Sequence, residues 1–411
     1  MIRNAGESDT SFLTAVNPAT TPTIPRHILD NPRQLVRPLG ELNHALASGR
    51  YQSPLRYPGA KSSLAPVIAR ILESAKGSRE VPEISLLVEP FAGGASASLR
   101  LVGHGIVERV LLADVDPLVT AFWQVAAADT EELIDRMHDE WTRYVKPGGV
   151  TGVERWDYWR SWVPARNAPA NVVRLGLAMQ CLFLNRTTFS GILHGKAGPI
   201  GGRKQESPYG IGCRWNPDAI EQRLRYVGHL YETGRIVDVW RKDWKQTLAD
   251  IPEHYPLLIP SRVVAYLDPP YLEKASHLYR ASFDPSGGYG NYGGGKPARI
   301  DHLLHMQLAE YLRTKAQFRW LLSYDNNALL TDSPWLYGHS RMTPSIEDRE
   351  TLGVRSWTLS KRLVNVRYSA SGKTGKRDAD ELLITTLPPS KVPVDHQLRI
   401  LPPPSVSPPQ E

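Results

Sequence analysis

Six short apolar runs, separated by longer stretches with helical periodicity, constrain the fold of this 411-residue chain more than any other feature. They are Ile84 to Val88, Arg109 to Ala113, Arg235 to Val239, Val263 to Leu267, Phe318 to Leu322 and Glu381 to Thr385. Val263-Val264-Ala265-Tyr266-Leu267 shows no alternation of apolar and polar residues, as a strand covered on both faces requires. Short buried strands alternating with helices predict an α/β fold with a largely parallel sheet.

One interval breaks the rhythm. From 129 to 234 the chain is rich in Trp and Arg and has helical patterning but no clear buried strand, so it is expected as a mostly helical insertion. The spacing divides the chain into an N-terminal extension (1–50), a first part of the main domain (51–128), the insertion (129–234), a second part (235–388) and a proline-rich tail (389–411). The tail ends in LPPPSVSPPQE, which has no means of burying a core. Trp156, Trp159 and Trp162 recur every three residues and are expected to pack on one helical face.

Two cysteines, Cys181 and Cys213, lack a metal-like spacing, so neither a disulfide framework nor a metal site is expected. No run approaches the roughly 18 apolar residues of a membrane span, and the start MIRNAGESDTSFL lacks an extended apolar region. A soluble cytoplasmic protein is expected. Lys and Arg outnumber Asp and Glu by 49 to 42, which permits a polyanionic partner without requiring one.

In a doubly wound sheet, ligands sit beyond the carboxyl ends of the strands. Here the first run leads into Glu89-Pro90-Phe91-Ala92-Gly93-Gly94-Ala95-Ser96, whose paired glycines let the backbone pass close to a ligand. Such turns also serve only to pack a helix on a sheet. The second run ends in Ala113-Asp114-Val115-Asp116, where a carboxylate can accept hydrogen bonds from a ribose diol or simply cap the helix opening at Pro117. The fourth run ends in Asp268-Pro269-Pro270-Tyr271. Two prolines restrict the chain so that the carboxylate and a neighbouring carbonyl point in fixed directions beside an aromatic face. That trio suits a planar ring with an exocyclic amine: Asp268 and the Pro269 carbonyl each accept one N–H, and Tyr271 stacks on the ring.

With these residues in order, the chain resembles the Dam-like N6-adenine DNA methyltransferases of the D12 class, over roughly Pro54 to Leu387. Pro58-Gly59-Ala60-Lys61 is similar to the family's N-terminal glycine-lysine motif, although Tyr57-Pro58 stands where Trp-Ala is usual. Glu89 to Ser96 resembles the methyl-donor loop, Asp114 the ribose-binding acid, and Asp243-Trp244 the acid-aromatic pair that holds the donor's adenine. Leu184-Asn185-Arg186 with Phe189-Ser190-Gly191 resembles a conserved-type run of the target-recognition insertion, and Asp268 to Tyr271 the catalytic motif. A Gly-rich loop, Ser286 to Gly295, and the long tails depart from the common pattern.

The resemblance implies a Rossmann-like methyltransferase sheet with a helical target-recognition insertion, S-adenosyl-L-methionine as cofactor, and double-stranded DNA as partner. It implies catalytic roles for Asp268, Pro269, Pro270 and Tyr271. Donor binding is implied for Tyr57, Gly59, Lys61, Glu89, Pro90, Phe91, Gly93, Gly94, Asp114, Asp243, Trp244 and Asp268. DNA binding is implied for Asn185, Arg186, Ser190 and Gly191, with Lys196, Arg203, Lys204 and Arg214 as further phosphate contacts. The adenine would be flipped from the duplex to reach its pocket. His194 and His277, with no partner evident in sequence, read as surface or packing residues. An N4-cytosine methyltransferase and a catalytically silent DNA-binding regulator share the same features, and the sequence leaves open whether a restriction enzyme accompanies the chain.

Overall fold

The computed structural model describes residues 52–56, 61–78, 81–270, 302–338, 341–342, 357–368, 377–388 and 398–400. Its strands are β1 (Leu86–Glu89), β2 (Arg109–Ala113), β3 (Ile236–Trp240), β4 (Val263–Leu267), β5 (Arg319–Asp325), β6 (Arg341–Met342), β7 (Trp357–Thr358), β8 (Ser360–Tyr368), β9 (Arg377–Thr385) and β10 (Leu398–Ile400). The helices are α1 (Ala65–Ala75), α2 (Ser96–Gly103), α3 (Pro117–Ala128), α4 (Thr130–Glu140), α5 (Gly149–Ser161), α6 (Ala170–Thr187), α7 (Pro217–Glu232), α8 (Trp244–His254), α9 (His302–Thr314) and α10 (Ala328–Asp332).

Eight strands form one sheet in the order β10-β8-β9-β5-β4-β1-β2-β3. The run from β3 to β5 is parallel. Strands β9, β8 and β10 then add antiparallel to the β5 side. Because the chain leaves β1 toward β2 and β3 and later returns to the other side as β4 and β5, the order reverses between β1 and β4. Two diverging loops open a crevice at such a point.

Alternate residues of each parallel strand enter two cores. Leu87, Val110, Leu112, Val264 and Tyr266 face one cluster. Leu86, Val88, Leu111, Ala113, Val263, Ala265 and Leu267 face the other, with Trp244, Leu308 and Leu312. This two-sided burial is the physical reason that the parallel strands read as continuous apolar runs.

Between β2 and β3 lie five helices, α3 to α7, and a single isolated bridge, Thr188–Pro199. Helix α3, PLVTAFWQVAAA, is apolar nearly all round and is buried along most of its length. It carries Phe122 and Trp123 into the same cluster as Phe183 and Trp215 of the inserted segment. The inserted helices therefore share a core with one face of the sheet. Trp156 and Trp159 are buried in that core and Trp162 packs partly buried against it, as their spacing suggests.

Two strands of the eight-stranded sheet were not expected, nor was the separate pair β6–β7. β8, SKRLVNVRY, mixes Lys and Arg with apolar residues, and β10 lies inside the stretch expected as a tail. β10 pairs with β8 through Leu398–Val364, Arg399–Leu363 and Ile400–Arg362. β9 is longer than its apolar run suggests, because its first half pairs with β8 beyond the end of β5.

Candidate active site

The carboxyl ends of the parallel strands converge on a group of buried acids. Glu89 ends β1, Asp114 follows β2, Asp268 follows β4, and Glu381 of antiparallel β9 lies opposite Asp325 at the end of β5. Burial pushes the carboxyl of Glu89 well above the ordinary range, and the charges of Asp268 and Asp114 push it further. Four acids at one edge repel one another. The site needs cations to stay ionised.

Lys61 supplies one. It lies in a 3-10 turn, Lys61–Ser63, ahead of α1, and its Nζ is 2.9 Å from Asp268 Oδ1 and 4.0 Å from Glu381 Oε2. The Ser323 hydroxyl of β5 donates to the same Oδ1 at 2.9 Å and lies 3.1 Å from the Tyr266 hydroxyl. Burial still holds the Asp268 carboxyl above its ordinary value, while the Lys61 charge and these hydrogen bonds pull it back. Both contacts fall on Oδ1, and the Asp268 side chain is 21% exposed. Oδ2 is thus the oxygen on which neither contact falls. The expectation had Lys61 on the methyl donor; the structure sets it on the acid after β4.

The glycine turn after β1 closes against Asp114. Gly93 N donates to Asp114 Oδ2 at 2.9 Å, Asp116 N donates to Oδ1 at 2.9 Å, and Ala92 N reaches Ala113 O at 2.9 Å. Gly93 and Ala95 have φ of 44° and 45°, a left-handed bend at which a side chain is disfavoured and which turns the chain tightly into α2. The Trp123 indole N–H clamps the Gly93 carbonyl at 2.8 Å. Desolvation first, and then the charge of Asp116, raise the Asp114 carboxyl to about 7. An ionised carboxylate offers about four lone pairs. Gly93 N and Asp116 N each use one, the Val115 N–H also acts on the carboxylate, and acceptor capacity remains for a ligand hydroxyl.

Asp243 caps α8 by accepting Gln246 N at 2.9 Å. Trp244 beside it is 6% exposed, its ring packed edge-on to Tyr311 at 5.4 Å. The acid-aromatic pair thus offers a ligand the Asp243 carboxylate and the loop backbone, while the Trp244 ring is committed to the core.

Asn185 and Arg186 depart furthest from expectation. They were placed on the DNA surface, yet they are 0% and 4% exposed. The Asn185 amide accepts Arg56 N at 2.6 Å and donates to Arg56 O at 3.1 Å and Gly191 O at 3.2 Å. Arg186 donates to the Pro54 carbonyl and to Arg214 O. Burial, with the nearby guanidinia of Arg223 and Arg56, pushes the Arg186 pKa down to about 9. Arg223 holds Gln52 and Ser53 in the same way. These three residues fasten segment 52–56, which leads to Lys61, onto the inserted helices.

Gly191 has φ of 75°, and a Cβ there would meet Arg56 O at 2.2 Å, so its task is also the close approach of segment 52–56. Phe189 and Ser190 remain outside. Phe189 is 59% exposed, and Ser190 takes a left-handed φ of 59°. Lys196, Lys204 and Arg214 are exposed too, and Arg203 forms a surface pair with Asp157 at 2.7 Å. Tyr57, Pro58, Gly59, Ala60, Tyr271, His277 and the loop Ser286 to Gly295 lie outside the described residues. Sequence reasoning missed Ser323, whose signal is a lone hydroxyl inside the buried run LLSYD, and Glu381 as a partner of Lys61.

A parallel sheet with a glycine turn, and with Asp114 and the half-buried Asp268 of an Asp-Pro-Pro run beyond its strand ends, defines an α/β enzyme with a Rossmann-like core. The family is more specific. Residues 57–197 match the model of the D12 class N6 adenine-specific DNA methyltransferase. The match identifies the chain as an adenine-specific DNA methyltransferase. The matched span holds Lys61, the glycine turn, Asp114 and the Asn185 to Gly191 run, while Asp268 lies beyond it. No match was found among curated proteins. Among the described residues, no helix is long and apolar enough to cross a membrane.

Proposed function

We propose that the chain methylates N6 of an adenine flipped out of double-stranded DNA, with S-adenosylmethionine as donor and Asp268 as the catalytic carboxylate. The observation that carries this reading is the placement of Asp268. It follows β4 at the reversal of strand order, two prolines fix the chain after it, and Lys61 and Ser323 both hold Oδ1, leaving Oδ2 clear of them.

S-adenosylmethionine, when bound, supplies an electrophilic methyl group on a sulfonium. The residues of the site suit it: Asp114 keeps acceptor capacity for the ribose diol, Gly93 and Gly94 let the backbone approach, and buried Glu89 offers an Oε2 with no partner among the described residues. Asp268 Oδ2 and the Pro269 carbonyl accept the two N–H groups of the amine. The N6 lone pair is normally delocalised into the purine, and these two acceptors favour a pyramidal nitrogen that attacks more readily. Asp268 then takes the proton that N6 loses. The Lys61 ammonium keeps Asp268 ionised for that task and stabilises the positive-to-neutral change at N6 only indirectly.

Residues 129–234 serve in this reading as the target-recognition insertion. Exposed Phe189 and Ser190, flanked by Lys196, Lys204 and Arg214, face the DNA, while Asn185 and Arg186 shape the loop from within. Such an enzyme works in the cytoplasm, where its DNA substrate lies.

Replacing Asp268 by Ala tests the reading. Digestion of treated duplex and nucleoside mass spectrometry should show N6-methyladenine falling on the order of 10²-fold or more in rate, with donor binding by calorimetry largely intact. Near-parental turnover would overturn the role of Asp268, and N4-methylcytosine as the product would overturn the choice of base.

A further inference from the structure

His194 belongs to the inserted segment, yet its side chain reaches the loop after β2. Its Nε2 lies 2.5 Å from Asp116 Oδ2. Among its other contacts, Asp116 Oδ1 accepts Leu118 N at 2.9 Å as the cap of α3, and its backbone N–H donates to Asp114 Oδ1 at 2.9 Å. One residue thus joins the imidazole, the helix start and the acid proposed for the ribose diol.

The other side of the loop is fastened as firmly. Arg160 of α5 donates to Leu193 O at 2.7 Å and to Gly195 O, the carbonyls on either side of His194. Trp156 of the same helix donates to the Thr188 hydroxyl at 3.0 Å, just before the exposed Phe189–Ser190 turn. Residues 188–195 therefore form a short strap with one end at the exposed turn and the other on Asp116.

We propose that His194 is a positioning residue that couples the DNA-facing turn to the methyl-donor site, so that each ligand strengthens binding of the other. This rests on the reading above of the turn and of Asp114. Fixing Phe189 and Ser190 on DNA restricts the strap, holds His194 on Asp116, and keeps the Asp116 N–H aligned on the Asp114 carboxylate. A ligand bound to Asp114 restrains the same contacts from the opposite end, since coupling between two sites is reciprocal.

The test is the ratio of S-adenosylmethionine dissociation constants without and with saturating DNA duplex, measured by calorimetry on parent, His194→Ala and His194→Gln. The parent should bind the donor about fivefold or more tightly with duplex present. His194→Ala should bring that ratio close to one while affinity without DNA changes little, and in steady state KM for the donor should rise more than kcat falls. His194→Gln, whose amide can reach Asp116, should restore much of the ratio. A parental ratio of one, or an unchanged ratio in His194→Ala, overturns the coupling. If the parent makes N6-methyladenine in the same samples, that failure leaves the proposed function standing. If it makes none, the proposed function fails, and the coupling with it. Should His194→Ala melt at markedly lower temperature than the parent, a His194→Gln that folds normally and still has a ratio of one overturns the proposal.

Discussion

Asp114 is the residue at which pH separates a diol-binding acid from an ordinary end-of-strand carboxylate. Its carboxyl is raised to about 7 by burial and by the charge of Asp116, although three backbone N–H groups pull it down. Acceptor capacity still remains for a ligand hydroxyl. A proton on either oxygen removes an acceptor, so the ionised form should bind the diol more tightly. About one-tenth of the carboxyl is ionised at about pH 6 and about nine-tenths at about pH 8, which by itself makes donor affinity rise about tenfold across that window. A charged hydrogen bond is worth about 1.5–3 kcal/mol, so the two forms differ by about 10- to 100-fold. Together these give a rise of about five- to tenfold.

Calorimetric titration of S-adenosylmethionine without DNA measures this directly. Asp114→Asn isolates it, because the amide keeps the shape of the carboxyl but does not titrate. The rise should vanish in the variant, and its affinity at the upper pH should be at least about tenfold below the parent's. The stability effect has the opposite sign. The unfolded chain ionises at the ordinary carboxylate value while folded Asp114 holds its proton to about 7, so the folded form binds more protons in between and loses stability as pH rises through that range. A parental affinity that is flat between about pH 6 and about pH 8, or an equal rise in Asp114→Asn, refutes the assignment and leaves Asp114 as a bracket for the glycine turn.

Lys61→Met should raise the pKa of Asp268, because it deletes the charge that opposes burial, and the acidic limb of the pH–rate profile should move to higher pH. An unmoved limb would show that another cation holds the acid. Arg186→Ala leaves the buried Pro54 carbonyl without this donor, at about 1–3 kcal/mol; it should lower the thermal midpoint while the folded fraction keeps its affinity for duplex, and a normal midpoint with weakened DNA binding would return Arg186 to the DNA surface. Gly191→Ala drives a methyl into the Arg56 carbonyl at a positive φ and should cost about 1–3 kcal/mol, visible in the same melt; a variant as stable as the parent would show that segment 52–56 can shift.

What the sequence reveals here depends on what each residue is asked to do. Val263 to Leu267 is legible as a strand, and Asp268 as an acid at its carboxyl end, because two-sided burial excludes polar residues until the strand stops. β8 is illegible for the converse reason. Its Arg362 is fully buried among polar partners near the sheet edge, and a buried arginine and an exposed one are the same letter. Asn185 and Arg186 show the same ambiguity, but here a signal existed. They follow the unbroken buried run Ala178 to Leu184, and a helix buried all round continues to bury whatever comes next. Polar side chains there are spent on backbone carbonyls that water cannot reach, which is how Asn185 and Arg186 come to hold Arg56 and Pro54.

Partnerships across long sequence separations have no such signal. Nothing in the spacing links Lys61 to Asp268, or His194 to an acid 78 residues away. Those contacts exist because the inserted helices share a core with the sheet. Through that core, residues of the insertion hold the segment that leads to Lys61 and its partner Asp268, and His194 reaches the Asp114–Asp116 pair beside the glycine turn. Loosening the insertion should therefore disturb methyl transfer by two routes, one through Lys61 and Asp268 and one through His194 and Asp116. Lys61→Met and His194→Ala separate them, since the first should move the pH profile of kcat and the second the dependence of donor affinity on DNA.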